Sequence, residues 1–231
     1  MNVAIIAAAG QGTRMGGKRA KQFLELAGTP VIIHTLKVFE QCDSIQEIIA
    51  VVPDQDVAGF VSLAGKYGLR KLGKTVAGGA TRAESVSFGL RAIDPTAAEI
   101  VAVHDGTRPF LTCGELTETI RAAEQSGAAI LVAPEIDTVK EVQDGVVVRT
   151  LPREQLRRAL TPQCFRYSLL LRAYEQVDVA DPQLTDESSL VERLGVPIIT
   201  VEGSARNIKL TKPEDMALAE ALLKMNFELW T

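Results

Sequence analysis

The chain begins with a short apolar run, Val3 to Ala8, that breaks at Gly10-Gln11-Gly12-Thr13-Arg14 into glycine and positive charge. The run is too short for a membrane span and reads as a strand. Glycines let the backbone approach a bulky anion and point N–H groups at it, while Arg14, Lys18 and Lys21 supply cationic side chains. A strand emptying into such a loop predicts a cradle for the phosphates of a nucleotide. The plainer alternative is a glycine-rich turn whose charges are only solvated.

Three motif readings compete for this loop. A dinucleotide fingerprint needs a third glycine where Met15 stands, and a P-loop needs serine or threonine where Arg19 follows Gly17-Lys18. Both fail on those residues. What remains, Ala7-Ala8-Ala9-Gly10-x-Gly12-Thr13-Arg14-Met15 with Lys21-Gln22 soon after, resembles the signature loop of nucleotidyltransferases that join a nucleoside triphosphate to a sugar or polyol phosphate.

Composition narrows the ligand. At 231 residues, 46% apolar and 23% charged, the chain can bury a sizeable core and is expected to form one α/β domain, 1–231, with 134–153 as an appendage. A net charge of −4 argues against nucleic-acid binding, so positive charge at the loop suits a small anion. Cys42, Cys113 and Cys164 are scattered and lack C-x-x-C spacing, as expected of reduced intracellular thiols. No basic leader or long apolar span is evident, so a cytoplasmic protein with no membrane partner is expected.

Apolar runs alternate with helical patterns, which favours a Rossmann-like, mainly parallel sheet with helices on both faces. Pro30 opens a helix with Ile32, Leu36 and Phe39 on one face, and His34 within it has no ligand-spaced partner, so its role is structural. Ile48 to Val52 is a strand stopped by Pro53, followed by a short helix through Val57, Val61 and Ala64. A strand near Thr75-Val76 leads to a helix from Arg82, with Thr81 and Glu84 at capping-box spacing. Ile100 to Val103 reads as a central parallel strand. A helix from Glu115 to Gln125 starts at a second capping box, Thr112 and Glu115, and Ala129 to Ala133 is a further strand.

The pattern changes after Pro134. Thr138 to Val142 and Val146 to Thr150 flank Gln143-Asp144-Gly145, a strong hairpin signal. A hairpin interrupting a parallel chain should protrude, and its apolar side needs a partner, so it reads as a dimerisation arm; the alternative is a hairpin folded back on its own domain. Leu160 to Phe165 has little periodicity and reads as the connection back to the body. Helices at Tyr167 to Gln176 and Asp186 to Leu194, the latter N-capped by Thr185, precede a strand at Ile198 to Val201. Pro213 opens a closing helix with the stripe Met216, Ala219, Leu222 and Leu223.

Polar residues follow two of these strands directly. In doubly wound sheets ligands bind beyond the carboxyl ends of the strands, which gives weight to His104-Asp105-Gly106-Thr107-Arg108-Pro109. Asp105 suits hydroxyl hydrogen bonds or a place beside a metal, and Arg108 a bidentate grip on phosphate; a buried Asp–Arg pair tying down the loop is the alternative. His104 has no evident partner. Gly78-Gly79 and the helix start carrying Arg82 and Ser85 admit a base or ribose in addition to capping. Lys209 is either a solvated lysine or a phosphate contact.

The loop is joined by Gly78-Gly79-x-x-Arg82-Ala83-x-Ser85, His104-Asp105-Gly106-x-Arg108-Pro109 and Asp137-Thr138-Val139-Lys140. Ala159-Leu160-Thr161-Pro162-Gln163, Thr185-Asp186-Glu187 and Asn207-Ile208-Lys209-Leu210-Thr211 follow. In this order, over nearly the whole chain, these blocks resemble the 2-C-methyl-D-erythritol 4-phosphate cytidylyltransferase family of the non-mevalonate isoprenoid pathway. The resemblance implies transfer of CMP from CTP to that polyol phosphate, giving 4-diphosphocytidyl-2-C-methyl-D-erythritol and pyrophosphate, with Mg²⁺ or another divalent cation. It assigns Ala8, Ala9, Gly10, Gln11, Gly12 and Thr13 to the triphosphate, with Arg14, Lys21 and Lys209 as the catalytic cations. Gly79, Arg82 and Ser85 would border the cytidine, with Asp105 and Gly106 also on the nucleotide. Asp105, Arg108, Thr161 and Thr185 would hold the polyol phosphate. Thr138 and Arg153 would serve the neighbour's site in a homodimer. Ala80 and Thr107 fall at variable positions, and the metal ligands stay unassigned. The alternatives are a ribitol-5-phosphate cytidylyltransferase and a non-catalytic nucleotide-binding regulator.

Overall fold

The structure, a computed structural model, describes residues 1–10, 20–181 and 184–228. Of the expected site residues, Gln11, Gly12, Thr13 and Arg14 lie outside the described residues, as does Lys18. The first strand, β1 (Val3–Ala7), is followed by a small ribbon, β2 (Glu25–Leu26) and β3 (Thr29–Pro30), and by α1 (Val31–Gln41). Then come β4 (Glu47–Val52), α2 (Val57–Lys66), β5 (Leu72–Ala77), α3 (Arg82–Arg91), β6 (Ile100–Asp105), α4 (Cys113–Ser126) and β7 (Ala128–Pro134). The hairpin is β8 (Lys140–Gln143) and β9 (Val146–Thr150). The chain continues through β10 (Arg157–Arg166), α5 (Tyr167–Glu175), α6 (Glu187–Glu192), β11 (Ile199–Glu202) and α7 (Pro213–Glu228).

Among the described residues, seven strands form one sheet in the order β11-β7-β10-β6-β1-β4-β5. All pairings are parallel except those of β10 with its two neighbours, β6 and β7. Alternation along β1 divides the core into two layers. Ala4 and Ile6 pack with Ile32, Leu36 and Phe39 of α1, Phe60 of α2 and Ile120 of α4. Val3 and Ile5 face the opposite way, onto Val86 and Leu90 of α3, Leu170 of α5 and Leu190 of α6. Helices therefore cover both faces, and each of the fully buried Val, Leu, Ile and Phe side chains contributes about 1.5–3 kcal/mol.

The expected connection at Leu160 to Phe165 is instead the middle of β10, inserted antiparallel between β6 and β7. All six of these residues are buried, so no alternation marks the strand. Pro162 cannot donate to a ladder, and the register with β7 breaks between Ala159 and Gln163. In α2, Ala64 is buried beside Phe60, while Val61 is exposed. The N-cap of α6 is Asp186, which accepts from the Ser189 N–H, and not Thr185. His34 has the expected structural role, donating from Nε2 to the Leu26 carbonyl at 2.8 Å.

The hairpin turns through Asp144 and Gly145, both with left-handed φ, as a two-residue connection between twisted strands requires. Every residue of β8 and β9 is exposed, and Val142, Val146, Val147 and Val148 each lie more than half open.

Candidate active site

β1 lies between β4 and β6, so the chain winds outward from it in both directions. The loops after β1 and β6 diverge there, around a crevice at the strands' carboxyl ends. A cavity of about 570 Å³ occupies it. Its described walls include Ala8, Ala9 and Gly10 after β1, Lys21, Gly79 after β5, and Arg82 and Ser85 of α3. A second cavity of about 210 Å³ is lined by Arg108, Ala159, Thr161, Thr185 and Asp186. Arg82, Asp105 and Lys209 border both.

Among the described residues, three cations converge on that shared wall. Asp105 Oδ1 lies 3.1 Å from Arg82 Nε, and its Oδ2 lies 3.2 Å from Arg108 Nε and 2.9 Å from Lys209 Nζ. Burial opposes ionisation of Asp105, but the charges of Arg82, Lys209 and Arg108 outweigh it and hold the carboxyl well below the usual range. Arg82 reaches further inward, placing Nη1 2.7 Å from Glu187 Oε1. The Tyr174 hydroxyl donates to the same oxygen at 3.1 Å. Both readings of the Asp105 region therefore coexist: an ion-paired carboxylate that also fronts two cavities.

The wall is braced from behind. His104 is fully buried against Phe39, and its Nε2 lies 3.1 Å from the Arg108 carbonyl, which can only accept. Nε2 therefore carries the proton, and Nδ1 accepts from the Thr161 hydroxyl at 2.9 Å. That hydroxyl in turn accepts the Asp105 N–H at 3.2 Å. Burial pushes the His104 pKa down to about 4, so the ring is neutral near pH 7. Asn207 donates to the Thr161 carbonyl and accepts from Arg108 Nη1, both at 2.8 Å, which ties the Lys209 loop to β10 and to the β6 loop. On the opposite side, buried Gln22 donates to the Ala8 carbonyl and clamps the strand end beside Lys21.

The family model for 2-C-methyl-D-erythritol 4-phosphate cytidylyltransferase (IspD) matches residues 2–225. The chain belongs to this family. A cytidylyltransferase of that name from Syntrophus aciditrophicus is 45% identical over 225 residues, covering 96% of this chain and 95% of the relative. One from Pelotomaculum thermopropionicum is 43% identical over 223 residues, covering 96% and 93%. Among solved structures, a 4-diphosphocytidyl-2C-methyl-D-erythritol synthase from Anaerococcus prevotii superposes with a TM-score of 0.85 at 33% identity, covering 97% of this chain and 96% of that one. The Thermus thermophilus cytidylyltransferase gives 0.78 at 33% identity, covering 96% and 98%.

Most described residues that the cytidylyltransferase resemblance singled out meet at the crevice, but not all face it in the same way. Ala8, Ala9, Gly10, Lys21, Gly79, Arg82, Ser85, Asp105 and Lys209 line the larger cavity; Arg108, Thr161 and Thr185 line the smaller. Ser85 is turned to its own loop, accepting the Gly79 N–H at 3.0 Å and donating to the Thr81 carbonyl at 2.9 Å. Gly106 lies behind the wall, where an added Cβ would stand 2.8 Å from that of Ala8. It permits the close approach of β1 and β6 and is not a lining residue. Thr138 and Arg153 stand apart, around a hollow of about 310 Å³ at the base of the hairpin with Thr150, Leu151, Pro152 and Glu154.

Gln163, Glu187 and Asn207 stand in the sequence blocks without an assigned role, and Tyr174 only within an expected helix, yet all four build the site. Glu187 resembles any acidic residue in a helix's first turn, and nothing local marks its pairing with Arg82. Among the described residues no group of three or more His, Cys, Asp or Glu could hold a metal. The shared wall offers the single carboxylate of Asp105, a donor set that fits Mg²⁺ carried mainly by phosphate oxygens and water.

Proposed function

We propose that this chain transfers CMP from CTP to 2-C-methyl-D-erythritol 4-phosphate, releasing pyrophosphate. The observation that carries the reading is the wall of Arg82, Asp105 and Lys209 common to two cavities. The larger, rimmed by the strand-end glycine and Lys21, suits a nucleoside triphosphate. The smaller, with Arg108 and Asp105, suits a phosphorylated polyol, the arginine meeting phosphate and the carboxylate accepting hydroxyls.

A phosphate oxygen of the acceptor attacks the α-phosphorus of CTP, and the bond from that phosphorus to the oxygen bridging to pyrophosphate breaks. The nucleophile is already anionic, so no general base is needed. The barrier lies in bringing anions together and spreading charge over the transferring group, which positioned cations do. Lys21, Lys209 and Arg14 take that role. Mg²⁺, when bound with the triphosphate, supplies further neutralisation of its charge. Asp105 is the carboxylate of the shared wall that would help hold it.

The hairpin completes the reading. Its open valines and the separate hollow of Thr138 and Arg153 fit an arm that embraces a second copy of the chain and lends both residues to the neighbour's smaller cavity. The working species is then a cytoplasmic homodimer. Pyrophosphate release measured with CTP, UTP or ATP against either 2-C-methyl-D-erythritol 4-phosphate or ribitol 5-phosphate tests the assignment. Release should require CTP and the methylerythritol acceptor together; equal or greater release with ribitol 5-phosphate, or CTP binding with no release, would refute it.

A further inference from the structure

Arg82 is anchored at two points of unlike character. Asp105, which meets its Nε, is shared with Arg108 and Lys209 at the mouth of the site. Glu187, which meets its Nη1, is 1% exposed, and its Oε2 is buried without a hydrogen-bond partner among the described residues. A carboxylate so placed is stable as an anion only beside a cation, so Glu187 and Arg82 hold one another. The anchor is itself tied down. The N–H groups of Glu187 and Ser188 both donate to Gln163 Oε1 at 3.0 Å, docking the start of α6 on β10.

We propose that Glu187 is a positioning residue that keeps the Arg82 guanidinium in the wall between the two cavities and prevents it from following incoming anions. The proposal rests on the transferase reading above. Lys209, a third exposed at the rim, pairs with Asp105, and in this reading it exchanges that contact for the reacting phosphates. An unanchored guanidinium would grip the triphosphate or the departing pyrophosphate in the ground state. Binding gained there does not speed the chemical step, and displaced geometry slows it.

The test compares the wild-type chain with Glu187→Gln, which keeps the shape and an acceptor for Arg82 but removes the charge. Turnover with CTP and the methylerythritol acceptor should fall roughly ten- to a hundredfold. Inorganic pyrophosphate, titrated calorimetrically, should bind about tenfold more tightly, the worth of one added charge-assisted hydrogen bond. A merely structural role would weaken pyrophosphate binding and turnover together, and that result, or wild-type values for both, overturns the proposal. Should Glu187→Gln not fold, Glu187→Asp, which keeps the charge on a shorter arm, should show a smaller loss of turnover with tighter pyrophosphate; wild-type values or parallel losses there are equally contrary. The pyrophosphate titration needs no acceptor, so it tests Glu187 even if the transferase reading fails on the wild-type enzyme.

Discussion

Lys209 Nζ lies 2.9 Å from Asp105 Oδ2, joining the segment between β11 and α7 to the carboxyl end of β6. Arg82 and Arg108 approach the same carboxylate. Asp105→Asn would leave these cations without their common counter-charge, and removing one partner of a buried pair costs about 3 kcal/mol or more. Urea denaturation should show a loss of that size, with pyrophosphate release falling in parallel. A variant as stable as the parent would mean that the cations find other partners.

His104 makes stability sensitive to mild acid. Its folded pKa is depressed to about 4 from an ordinary value of 6.5. Between those values the unfolded chain takes up a proton that the folded chain refuses. This contribution is therefore complete above pH 6.5 and is lost as pH falls towards 4, by up to roughly 3 kcal/mol in total. Asp105 stays ionised throughout that window. In His104→Asn the slope of unfolding free energy against pH over this range should flatten; an unchanged slope would assign it to other groups.

Lys21 borders the larger cavity. Lys21→Ala and Arg14→Ala should each lower turnover on the order of a hundredfold while leaving circular dichroism and melting unchanged. Near-normal steady-state kinetics in both would remove the proposed charge stabilisation.

The arm predicts complementation between subunits. Arg153→Ala and Lys21→Ala proteins, each impaired alone, should regain part of the activity when mixed, because one mixed site carries both intact residues. Val147→Asp should shift sedimentation towards the monomer, since a charge on an apolar contact is costly to bury. No rescue on mixing, with dimers still present, would argue that each site is complete within one chain.

The sheet was legible wherever apolar runs ended at glycine, proline or a polar cluster, as at β1, β4 and β6, and the Asp144-Gly145 turn announced the hairpin. β10 was not, because burial of Leu160 to Phe165 erases alternation and Pro162 argues against a strand. The crevice was legible at Asp105, Arg108 and Gly79, whose residue types stand out at strand ends. Glu187 and Asn207 were not, since their importance lies in contacts with Arg82 and with Thr161 that no local pattern encodes. Ser85 lines the larger cavity as expected, although its hydroxyl turns to its own loop, whereas Gly106 lines neither cavity and its missing side chain shapes the wall from behind.

The most direct test of the two-cavity account is a crystal structure with CTP, Mg²⁺ and 2-C-methyl-D-erythritol 4-phosphate analogue bound. The account predicts the triphosphate along Ala8 to Gly10 beside Lys21, the polyol phosphate between Arg108 and Thr185, and the α-phosphorus at the wall of Arg82, Asp105 and Lys209. A nucleotide bound elsewhere, or both ligands in one cavity with the other empty, would contradict it.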